Sequence, residues 1–437
     1  MYRLIALATA EPMQDRISPP AGWILEVVYL PISTIRPDSR NARTHSKRQI
    51  AQIAESIGSF GFTNPILIDS EKVVIAGHGR LLAAKSLALE SVPAICLPHL
   101  NEAQKRALRI ADNKIGLNAG WDVDLLKLEL GELSGLDLGF DLTVTGFEVG
   151  EIDVMLNASP DPDDEKIPAA PTIPRTKPGD IWSCGPHRIG CGDGRDAAFL
   201  RRVIGDEKVD AAFLDPPYNV RINGHANARG RHREFAMASG EMSDEAFRAF
   251  LEDSLRICAA VSRDGAVHFV CMDWRHMDTL SAAGRSVYGS LLNLCFWNKS
   301  NAGMGSLYRS KHELVFVFRV GTAPHLNTVE LGRFGRNRTN VWEYASVNSM
   351  IGSRREDLSM HPTVKPVALV MDALQDVTQR GNIVLDTFLG SGTTLIAAER
   401  GGRRFRGTEI DPAYVDVAVE RWQAATGKEA VLNKDGA

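Results

Sequence analysis

Apolar positions follow a helical repeat in the first third of the chain. Over residues 46–60 they recur every three to four positions, at Ile50, Ile53, Ala54 and Ile57, which predicts one helix with a single apolar face. Gly61 is expected to end this helix. Two short apolar runs and another helical repeat follow, and they predict a strand pair over residues 64–69 and 72–76 and a helix over residues 81–89.

The second half of the chain alternates apolar runs with helical patterns. Residues 209–214 form a largely apolar run, and residues 382–386 and 404–409 predict two further strands. These last two strands enclose a glycine turn and a helical pattern over residues 395–400, so strand, turn, helix and strand follow in order. This order is typical of a βαβ unit, and we expect an α/β domain here.

The composition changes between these two regions. Residues 121–157 form a short helical connector rich in Leu and Asp, which includes the helical pattern over residues 123–132, and residues 158–177 are rich in Pro, Asp and Glu. The second composition is typical of an extended linker. The sequence therefore predicts an N-terminal domain over residues 22–122, a helical connector and linker over residues 123–177, and a further domain over residues 178–425.

The overall composition indicates an intracellular globular chain. Its 437 residues allow two to three domains, and 44% hydrophobic residues allow substantial cores. The six cysteines are scattered, and Cys184 and Cys191 lack the close spacing of a zinc site. We therefore expect buried free thiols, no bound metal and the reducing cytoplasm. No apolar run is long enough to predict a membrane segment.

The sequence Asp-Pro-Pro-Tyr at residues 215–218 is the first candidate for chemistry, because it follows directly on an apolar run. Asp215 and the carbonyl of Pro216 could accept the two hydrogens of a planar amine. Pro216 and Pro217 lock φ and so fix the direction of that carbonyl in advance. Tyr218 could stack on the ring that carries the amine. Taken alone, the four residues fit an ordinary strand end with a Pro-Pro turn equally well.

A glycine turn between two predicted strands is the second candidate. Gly390 and Gly392 lie in the turn, and Glu409 ends the next strand, about 20 positions on, where a nucleotide-binding βαβ unit carries the acid that binds ribose hydroxyls. Leu395 stands where a dinucleotide motif needs its third glycine, and no Gly-Lys-Ser/Thr follows. The site therefore suits an adenosine without a pyrophosphate, and S-adenosylmethionine is such a ligand.

With both motifs in this order, residues 179–422 resemble an amino-methylating DNA methyltransferase of the permuted class, in which the catalytic motif precedes the cofactor motif. The segments Gly190-Cys-Gly-Asp193-Gly and His361-Pro-Thr-Val-Lys365-Pro resemble two further family elements. In the family, the first lies near the adenine of the cofactor and the second encloses its methionine part. The resemblance implies a Rossmann-like fold, S-adenosylmethionine as cofactor, and a set of cofactor-binding residues: Asp193, Lys365, Asp386, Phe388, Gly390, Gly392, Thr393 and Glu409.

The net charge of −4 argues against nucleic-acid binding until the distribution of charge is considered. Two basic islands could contact DNA phosphates. The first island directly follows the Asp-Pro-Pro-Tyr sequence and includes Arg221, Arg229, Arg231 and Arg233. The second lies in residues 299–355, where the resemblance implies target recognition, and includes Lys299, Arg309, Lys311 and Arg336. A solvated loop is the alternative for the first island.

The N-terminal pattern resembles the N-terminal domain of ParB-type partition proteins, a small α+β domain that shares a fold with sulfiredoxin. The resemblance rests on Gly77-His-Gly-Arg80 at the start of a predicted helix. In that family such a turn meets nucleotide phosphates at a helix start, so Gly77 and Arg80 are candidate nucleotide ligands. His78 and Gly79 depart from the family pattern, and the alternative is a helix-capping turn in a domain for DNA contact or subunit assembly.

Together these features predict a site-specific DNA methyltransferase that moves a methyl group from S-adenosylmethionine to the exocyclic N6 amine of adenine in double-stranded DNA. The base must leave the duplex to reach such a pocket. Adenine is preferred because, in the resembled family, an acid at the position of Asp215 is commoner for adenine and a Ser for cytosine. N4-cytosine methylation is one alternative, and a non-catalytic ParB-like DNA-binding or regulatory protein is an alternative of another class. The oligomeric state stays open.

Overall fold

The structure is a computed structural model, described over residues 25–134, 136, 138–156, 162–219, 240–300, 307–329, 338–345 and 364–433. Its internal contacts divide the chain into two units, residues 1–148 and residues 149–437. Among the described residues, every helix is too short or too polar to cross a bilayer.

The first unit contains a small mixed sheet with helices. Its strands are β1 (Val27–Pro31), β2 (Ile66–Ile68), β3 (Val74–Ala76) and β4 (Ser91–Cys96). Its helices are α1 (Lys47–Phe60), α2 (His78–Ser86), α3 (Glu102–Ile115) and α4 (Val123–Ser134). The sheet order is β1-β4-β2-β3, in which only β2 and β4 are parallel. Apolar residues of the sheet and of α2 form its core, among them Ile66, Val74 and Leu81.

Local sequence accounts for the helix ends of this unit. Ser46 caps α1 by accepting a hydrogen bond from Gln49 N, and Gly61 ends it with a φ of 77°, as the sequence predicts. Helix α2 begins at His78, earlier than the predicted residue 81. The reason is Gly77, whose left-handed conformation (φ 100°) turns the chain into the helix at that point.

The second unit is a ten-stranded sheet with helices on both faces. Its strands are β5 (Ile181–Cys184), β6 (His187–Cys191), β7 (Val209–Leu214), β8 (Ser262–Met272), β9 (Ser290–Asn298), β10 (His312–Arg319), β11 (Val341–Glu343), β12 (Ile383–Asp386), β13 (Arg404–Glu409) and β14 (Val431–Asn433). Its helices are α5 (Val149–Leu156), α6 (Ala197–Ile204), α7 (Asp244–Val261), α8 (Met277–Val287), α9 (Val367–Val377), α10 (Thr393–Gly401) and α11 (Pro412–Thr426).

The strand order of this sheet is β11-β9-β10-β8-β7-β12-β13-β6-β5-β14. The central strands β8, β7, β12, β13 and β6 are parallel, so their carboxyl ends share one edge. Strand β10 runs antiparallel to β8, and its first residues therefore reach the same edge. Ligands of open α/β sheets bind outside the carboxyl ends of the strands, and this edge is where a site is expected.

Two hydrophobic cores cover the two faces of the sheet. In β7, Ala211 and Phe213 face the core that includes α9, α10 and α11, whereas Ala212 and Leu214 face the core that includes α6, α7 and α8. A strand buried on both faces reads as a continuous apolar run because successive side chains point to opposite sides. The structure confirms the predicted α/β, Rossmann-like class of this region, with a smaller α+β unit before it.

The structure differs from the expected extended linker over the described residues 162–177. Pro162–Glu165 form a short 3-10 turn, and Asp164, Glu165 and Thr176 are buried. Proline and acidic residues predict an extended linker from composition alone, but these carboxylates find partners in the second unit. The stretch is therefore part of the packed body that contains the sheet.

Candidate active site

The carboxyl edge of the sheet brings together residues that are far apart in sequence. Asp215 directly follows β7, and Glu313 stands near the start of β10, where Leu314 pairs with Met272 at the end of β8. Lys365 reaches the same point from the segment before α9. Strand pairing therefore assembles a cluster of charged side chains at this edge.

Lys365 stands at the centre of this buried charge cluster. Its Nζ lies 2.6 Å from Asp215 Oδ2 and 2.6 Å from Glu313 Oε1. A second ammonium, that of Lys299, lies 2.6 Å from Glu313 Oε2. The Tyr218 hydroxyl lies 2.6 Å from Asp215 Oδ1 and also contacts Glu313 Oε1. Two carboxylates, two ammonium groups and one phenol thus form a single hydrogen-bonded network.

Burial and the neighbouring charges shift the pKa values of the groups in this network in different directions. Burial raises the pKa of Asp215, and the Lys365 ammonium opposes that shift. Burial would also raise the pKa of Glu313, but Lys365 and Lys299 outweigh it and lower that pKa to about 2. Burial would lower the pKa of Lys365, yet Asp215 and Glu313 raise it above its ordinary value. Glu313 and Lys365 therefore stay charged, and Asp215 is the carboxylate that takes up a proton more readily.

Tyr218 has only one hydrogen to share between two carboxylates. Burial and the Asp215 carboxylate raise the pKa of Tyr218, which keeps the phenol protonated. The three N–H groups of Lys365 supply the other donors that the two carboxylates need. The side-chain oxygens of Asp215 and Glu313 and the Cys271 sulfur also lie within 4.8 Å of one another, a spacing that could hold a metal ion. Because Lys365 bonds to both carboxylates, the chain itself supplies the positive charge at this position.

Asn219 directly follows the Asp-Pro-Pro-Tyr sequence at residues 215–218. It adopts a left-handed conformation with φ 53°, which Asn tolerates better than most residues. Its Oδ1 accepts hydrogen bonds from Gly240 N at 3.1 Å and from Met242 N at 3.2 Å, and its Nδ2 donates to Met242 O at 3.0 Å. The Asn219 side chain thus joins the end of the Asp-Pro-Pro-Tyr sequence to residues 240–242 by hydrogen bonds.

The glycine turn after β12 lies beside the charge cluster, since β12 pairs with β7. Gly390 and Gly392 have φ values of 51° and 86°. Asp386 shapes the turn from beneath: its Oδ1 accepts from Phe388 N at 2.9 Å and its Oδ2 from Thr394 Oγ1 at 2.7 Å. Burial raises the pKa of Asp386 to about 7. The turn is therefore held by a buried carboxyl rather than by a side-chain cap.

Two further acids stand at the ends of the neighbouring strands. Glu409 at the end of β13 accepts hydrogen bonds from Gly390 N at 2.8 Å and from Asp411 N at 2.9 Å. Asp193 follows β6, and the adjacent Gly192 N donates to Glu409 O at 2.8 Å. Burial would raise the pKa of Asp193, but hydrogen bonds from Arg195 hold it below its ordinary value. The two acids thus lie on neighbouring strands beside the turn.

These residues fit the cofactor that the sequence motifs imply. Among the described residues beyond its chain neighbours, only Phe388 O comes within 4.0 Å of a Cβ added at Gly390, so the described part of the chain leaves the backbone of the turn open to a ligand. Glu409 is partly exposed and keeps lone pairs free for ribose hydroxyls. Phe388 is half-buried and packs on Phe250 at a centroid distance of 6.2 Å. An accessible backbone at Gly390, the carboxylate of Glu409 and the ring of Phe388 are groups that can bind an adenosine.

Two of the predicted cofactor ligands have different surroundings from those implied by the resemblance. Thr393 Oγ1 accepts a hydrogen bond from Arg421 Nη1 at 3.2 Å and is buried. Lys365 lies in the charge cluster with Asp215 rather than alone beside the turn. Contact of either residue with the cofactor stays a prediction.

The predicted DNA-contacting residues are only partly described. Arg221, Arg229, Arg231, Arg233 and Arg336 lie outside the described residues. Lys299 bonds to Glu313, and its ammonium also lies 4.7 Å from the centroid of the Trp297 ring. Arg309 and Lys311 are exposed. Lys299 N donates to Lys311 O at 2.8 Å, so these two basic residues lie side by side at the end of β9. Their contact with DNA stays a prediction.

The turn at residues 77–80 in the first unit is partly filled by its own chain. Arg80 Nη1 donates to Asn64 O at 2.9 Å, and burial lowers the pKa of Arg80. A Cβ at Gly79 would lie 3.0 Å from His45 Cε1 and from Ile53 Cδ1. Close packing therefore explains why glycine stands at position 79, and nucleotide binding at Gly77 and Arg80 stays a prediction.

Sequence reasoning missed Glu313 and Asn219. Glu313 is an acid at the start of an apolar run, Leu314 to Phe318, and a polar residue at a strand end is the signal that could have found it. Asn219 directly follows the Asp-Pro-Pro-Tyr sequence. Its left-handed conformation could have been suspected from Asn as a turn residue.

Profiles of three protein families match this chain. The profile described as DNA methylase, of the N6/N4 type, matches residues 209–420. The profiles of the ParB-methyltransferase HTH domain and of the ParB N-terminal domain match residues 124–178 and 24–114. The first match includes both the Asp-Pro-Pro-Tyr sequence and the glycine turn. The predicted domain boundaries themselves stay a prediction.

Known proteins resemble parts of the chain. The ParB-like nuclease domain-containing protein YnaK from Escherichia coli (strain K12) is 51% identical over 82 residues, which are 19% of this chain and 94% of YnaK. The type II methyltransferase M.HinfI from Haemophilus influenzae is 27% identical over 243 residues, which are 50% of this chain and 64% of that enzyme. Among solved structures, the complex of M1.HpyAVI with S-adenosylmethionine aligns with a TM-score of 0.38 at 19% identity and covers 53% of this chain and 97% of that chain.

The family profiles agree with the arrangement of the second unit. The DNA methylase profile covers the strands that carry Asp215, the glycine turn and Glu409, and the geometry of the turn fits S-adenosylmethionine, which is the cofactor of this domain. The profile of the ParB N-terminal domain, over residues 24–114, covers the small α+β unit. The family predicted from the sequence is confirmed: the chain belongs to the N6/N4 family of DNA methylases and carries a ParB-like domain at its N-terminal side.

Proposed function

We propose that this chain transfers a methyl group to the exocyclic N6 amine of adenine in double-stranded DNA. The observation that carries the proposal is the Asp215 carboxylate, which lies beside the Pro216 carbonyl at the carboxyl edge of the sheet. The neighbouring strand β12 carries the glycine turn at the same edge. An acceptor for the target amine and the glycine turn that would hold the cofactor, called the cofactor turn below, lie on adjacent strands. This arrangement supports methyl transfer from the cofactor to the amine.

The turn side of the site would hold the cofactor. Glu409 would bind the ribose hydroxyls, Asp193 would lie near the adenine, and the backbone at Gly390 would contact the ligand closely. S-adenosylmethionine, when bound, supplies an electrophilic methyl group. The role of the protein on this side is to fix the position of that ligand before the base arrives.

The strand β7 side of the site would hold the target amine. Asp215 and the Pro216 carbonyl would each accept one N–H, and this draws the nitrogen lone pair out of conjugation with the ring. The proton that the amine loses on methylation has an acceptor at hand in the Asp215 carboxylate. Tyr218 would lie against the base, and its hydroxyl, bonded to Asp215 at 2.6 Å, would keep the carboxylate oriented.

The role of Lys365, Glu313 and Lys299 is electrostatic. Lys365 compensates the charge of Asp215, and Glu313 compensates the charge of Lys365. Fixed charges in a buried site stabilise a developing charge without the reorganisation that water needs. Lys365 favours the ionised, acceptor form of Asp215, whereas burial and the Glu313 carboxylate raise its pKa. Activity should therefore fall as the pH is lowered and Asp215 takes up a proton.

The choice of adenine rests on Asp215 itself. An aromatic amine of cytosine offers the same two N–H groups, so the carboxylate chemistry fits both bases. The acid at the head of the motif favours adenine within the resembled family. If the product is N4-methylcytosine, the target base of this proposal is wrong but the proposed mechanism stands.

The test is mass spectrometry of nucleosides from unmethylated genomic DNA after incubation with the full chain and S-adenosylmethionine, beside an Asp215→Ala protein. We expect N6-methyladenine with the wild type and none with the variant. N4-methylcytosine would overturn the choice of base. If the protein binds the cofactor but leaves the DNA unmodified, the enzymatic proposal is overturned in favour of a non-catalytic DNA-binding role.

A further inference from the structure

The acidic turn Pro162–Glu165 lies before the sheet in the chain and takes no part in the chemistry described above. Asp164 is 2% exposed and Glu165 is 6% exposed, although carboxylates are rarely buried unless they have partners. Their partners contact the cofactor turn and the segment that carries Lys365. The acidic turn thus touches both halves of the methyl-transfer site.

Asp164 is joined to the glycine turn through Arg421 of α11. The carbonyl oxygen of Asp164 accepts hydrogen bonds from Arg421 Nε at 3.2 Å and from Nη2 at 2.7 Å. Arg421 Nη1 donates to Ser391 O at 3.1 Å and to Thr393 Oγ1 at 3.2 Å. One buried guanidinium therefore links the backbone of the acidic turn to the cofactor turn.

The side chain of Asp164 holds the acidic turn on α10. Arg400 Nε lies 2.9 Å from Asp164 Oδ2, and Arg400 Nη2 lies 2.6 Å from Asp164 Oδ1. This two-point geometry is the strong form of a carboxylate–guanidinium pair. Loss of the carboxylate would release the turn and, with it, the carbonyl that Arg421 binds.

Glu165 is joined to the segment that carries Lys365. Its Oε1 accepts a hydrogen bond at 2.8 Å from Val367 N, the first residue of α9. The residue before it, Pro366, provides no side-chain cap, so Glu165 satisfies an N–H group that a helix start leaves open. Its Oε2 has no hydrogen-bond partner among the described residues, and burial raises its pKa. The helix start therefore needs the oxygen acceptor more than it needs the charge.

The two contacts come from adjacent residues of one short turn. Methyl transfer requires donor and acceptor at a fixed separation, and a small misplacement lowers the rate steeply. We infer that Asp164 and Glu165 are positioning residues for methyl transfer: Asp164 holds the cofactor turn through Arg421, and Glu165 holds the segment of Lys365. This inference rests on the proposed function of the second unit.

The Glu165 side is tested with Glu165→Leu and Glu165→Gln in the full chain. Leucine removes the acceptor of Val367 N, and the segment of Lys365 loses its anchor. We expect the single-turnover methylation rate at saturating S-adenosylmethionine to fall by roughly tenfold to a hundredfold, with the dissociation constant for the cofactor nearly unchanged. Glutamine keeps an oxygen acceptor and should restore the rate.

The Asp164 side is tested with Asp164→Ala and Arg421→Lys. A lysine ammonium cannot reach Ser391 and the carbonyl of Asp164 together. Both variants should raise the dissociation constant for S-adenosylmethionine severalfold, measured by calorimetry without DNA, and leave the saturated rate nearly unchanged. If Asp164→Ala does not fold, Arg421→Lys still tests the part of the inference that concerns Asp164.

Two control variants in the same stretch separate positioning from stability. Asp163 is exposed and pairs with Lys166 at 2.8 Å, so Asp163→Ala should match the wild type. Asp153 forms a buried pair with Arg403, with Nη2 at 2.7 Å from Oδ2, before the amino end of β13 and away from the site. Asp153→Asn should lower the melting temperature without changing the rate or the cofactor affinity of the folded protein.

The outcomes distinguish this inference from the proposed function. The inference is supported if Glu165→Leu lowers the methylation rate and Asp164→Ala weakens the binding of S-adenosylmethionine. An active wild type whose Glu165→Leu and Asp164→Ala variants change only in melting temperature, as Asp153→Asn does, overturns it. A wild type that binds S-adenosylmethionine and methylates no DNA overturns the proposed function, and the affinity measurements then still decide the Asp164 side.

Discussion

Two glycine turns in this chain begin helices in the same way. Gly77 precedes α2 and Gly392 precedes α10, and both adopt the left-handed conformation, with φ values of 100° and 86°. Neither helix has a side-chain cap at this end, so each leaves backbone N–H groups directed outwards. By local sequence alone, the two turns are equally good candidates for a nucleotide site.

The surroundings of the two turns differ in charge and in space. At the first turn, the Arg80 guanidinium lies 3.2 Å from the position of a Cβ on Gly77 and bonds to Asn64 O. At the second, the carboxylate of Glu409 accepts a hydrogen bond from Gly390 N, and the described residues beyond its chain neighbours leave the space around a Cβ on Gly390 open except for Phe388 O at 4.0 Å. A cation beside a helix start suits a phosphate, whereas an acid suits ribose hydroxyls. The neighbours of a glycine turn, rather than the turn itself, therefore select its ligand.

The largest expected effect lies at Asp215, the proposed catalytic acid beside the second turn. Asp215→Ala removes one acceptor of the target amine, and the methylation rate should fall by about a thousandfold, the scale seen when one fixed electrostatic contact is lost. The dissociation constant for S-adenosylmethionine should stay close to that of the wild type, because the turn is left intact. Single-turnover kinetics and calorimetry measure the two quantities. Loss of cofactor binding instead would mean that Asp215 belongs to the cofactor site.

A matched pair of glycine substitutions tests this difference between the two turns. A Cβ at Gly392 would lie 2.9 Å from Ala418 Cβ, whereas the atoms nearest to one at Gly77 belong to the flexible Arg80 side chain, at 3.2 Å. Strained backbone costs about 1–3 kcal/mol in either case, but only Gly392→Ala also displaces a helix. We expect Gly392→Ala to weaken cofactor binding and lower the melting temperature, and Gly77→Ala to leave methylation unchanged. Equal loss of methylation in both variants would contradict the separation of the two sites.

The second turn should also depend on pH through Asp386. Burial raises its pKa from an ordinary value of 3.8 to about 7. Between these values the folded protein keeps a proton that the unfolded chain releases, so this group lowers the unfolding free energy as the pH rises through that window. Asp386→Asn cannot titrate. Urea unfolding at several pH values should therefore show the wild type losing stability relative to the variant as the pH rises, and a difference independent of pH would refute this.

The smallest effect is expected at Arg80. If the first turn binds a nucleotide, Arg80→Ala should weaken titration of a nucleoside triphosphate into the full chain, because the guanidinium beside the helix start is lost. The methylation rate should not change. Absence of saturable nucleotide binding in both the wild type and the variant would remove the nucleotide site and leave a capping turn.

The features that could be predicted from sequence are those set by neighbours in the chain. The capping of α1 by Ser46, the glycine turn after β12 and the acid at the end of β13 all follow from local rules for helix starts and βαβ units. The position of Asp215 at the sheet edge follows in the same way, because an apolar run ends directly before it. Even the wrong start predicted for α2 came from one local conformation, that of Gly77.

The features that could not be predicted depend on contacts between distant residues. Glu313 joins Asp215 only because β10 pairs antiparallel with β8, and a single sequence does not contain that register. The acidic turn reads as a linker because its composition is that of a solvated chain. Its burial depends on Arg400 and Arg421, which follow it by more than 200 residues.

The sequence by itself determined the α/β class, the order of the two motifs, the adenosine-type turn and the family. Each of these is encoded in short segments, where residue type and spacing fix the local backbone. Only the tertiary structure decided that Lys365 and Glu313 surround Asp215, and that Asp164 and Glu165 hold both halves of the site. The physical reason is that buried charges are tolerated only with partners, and those partners are chosen by strand order and helix packing rather than by neighbours in the chain.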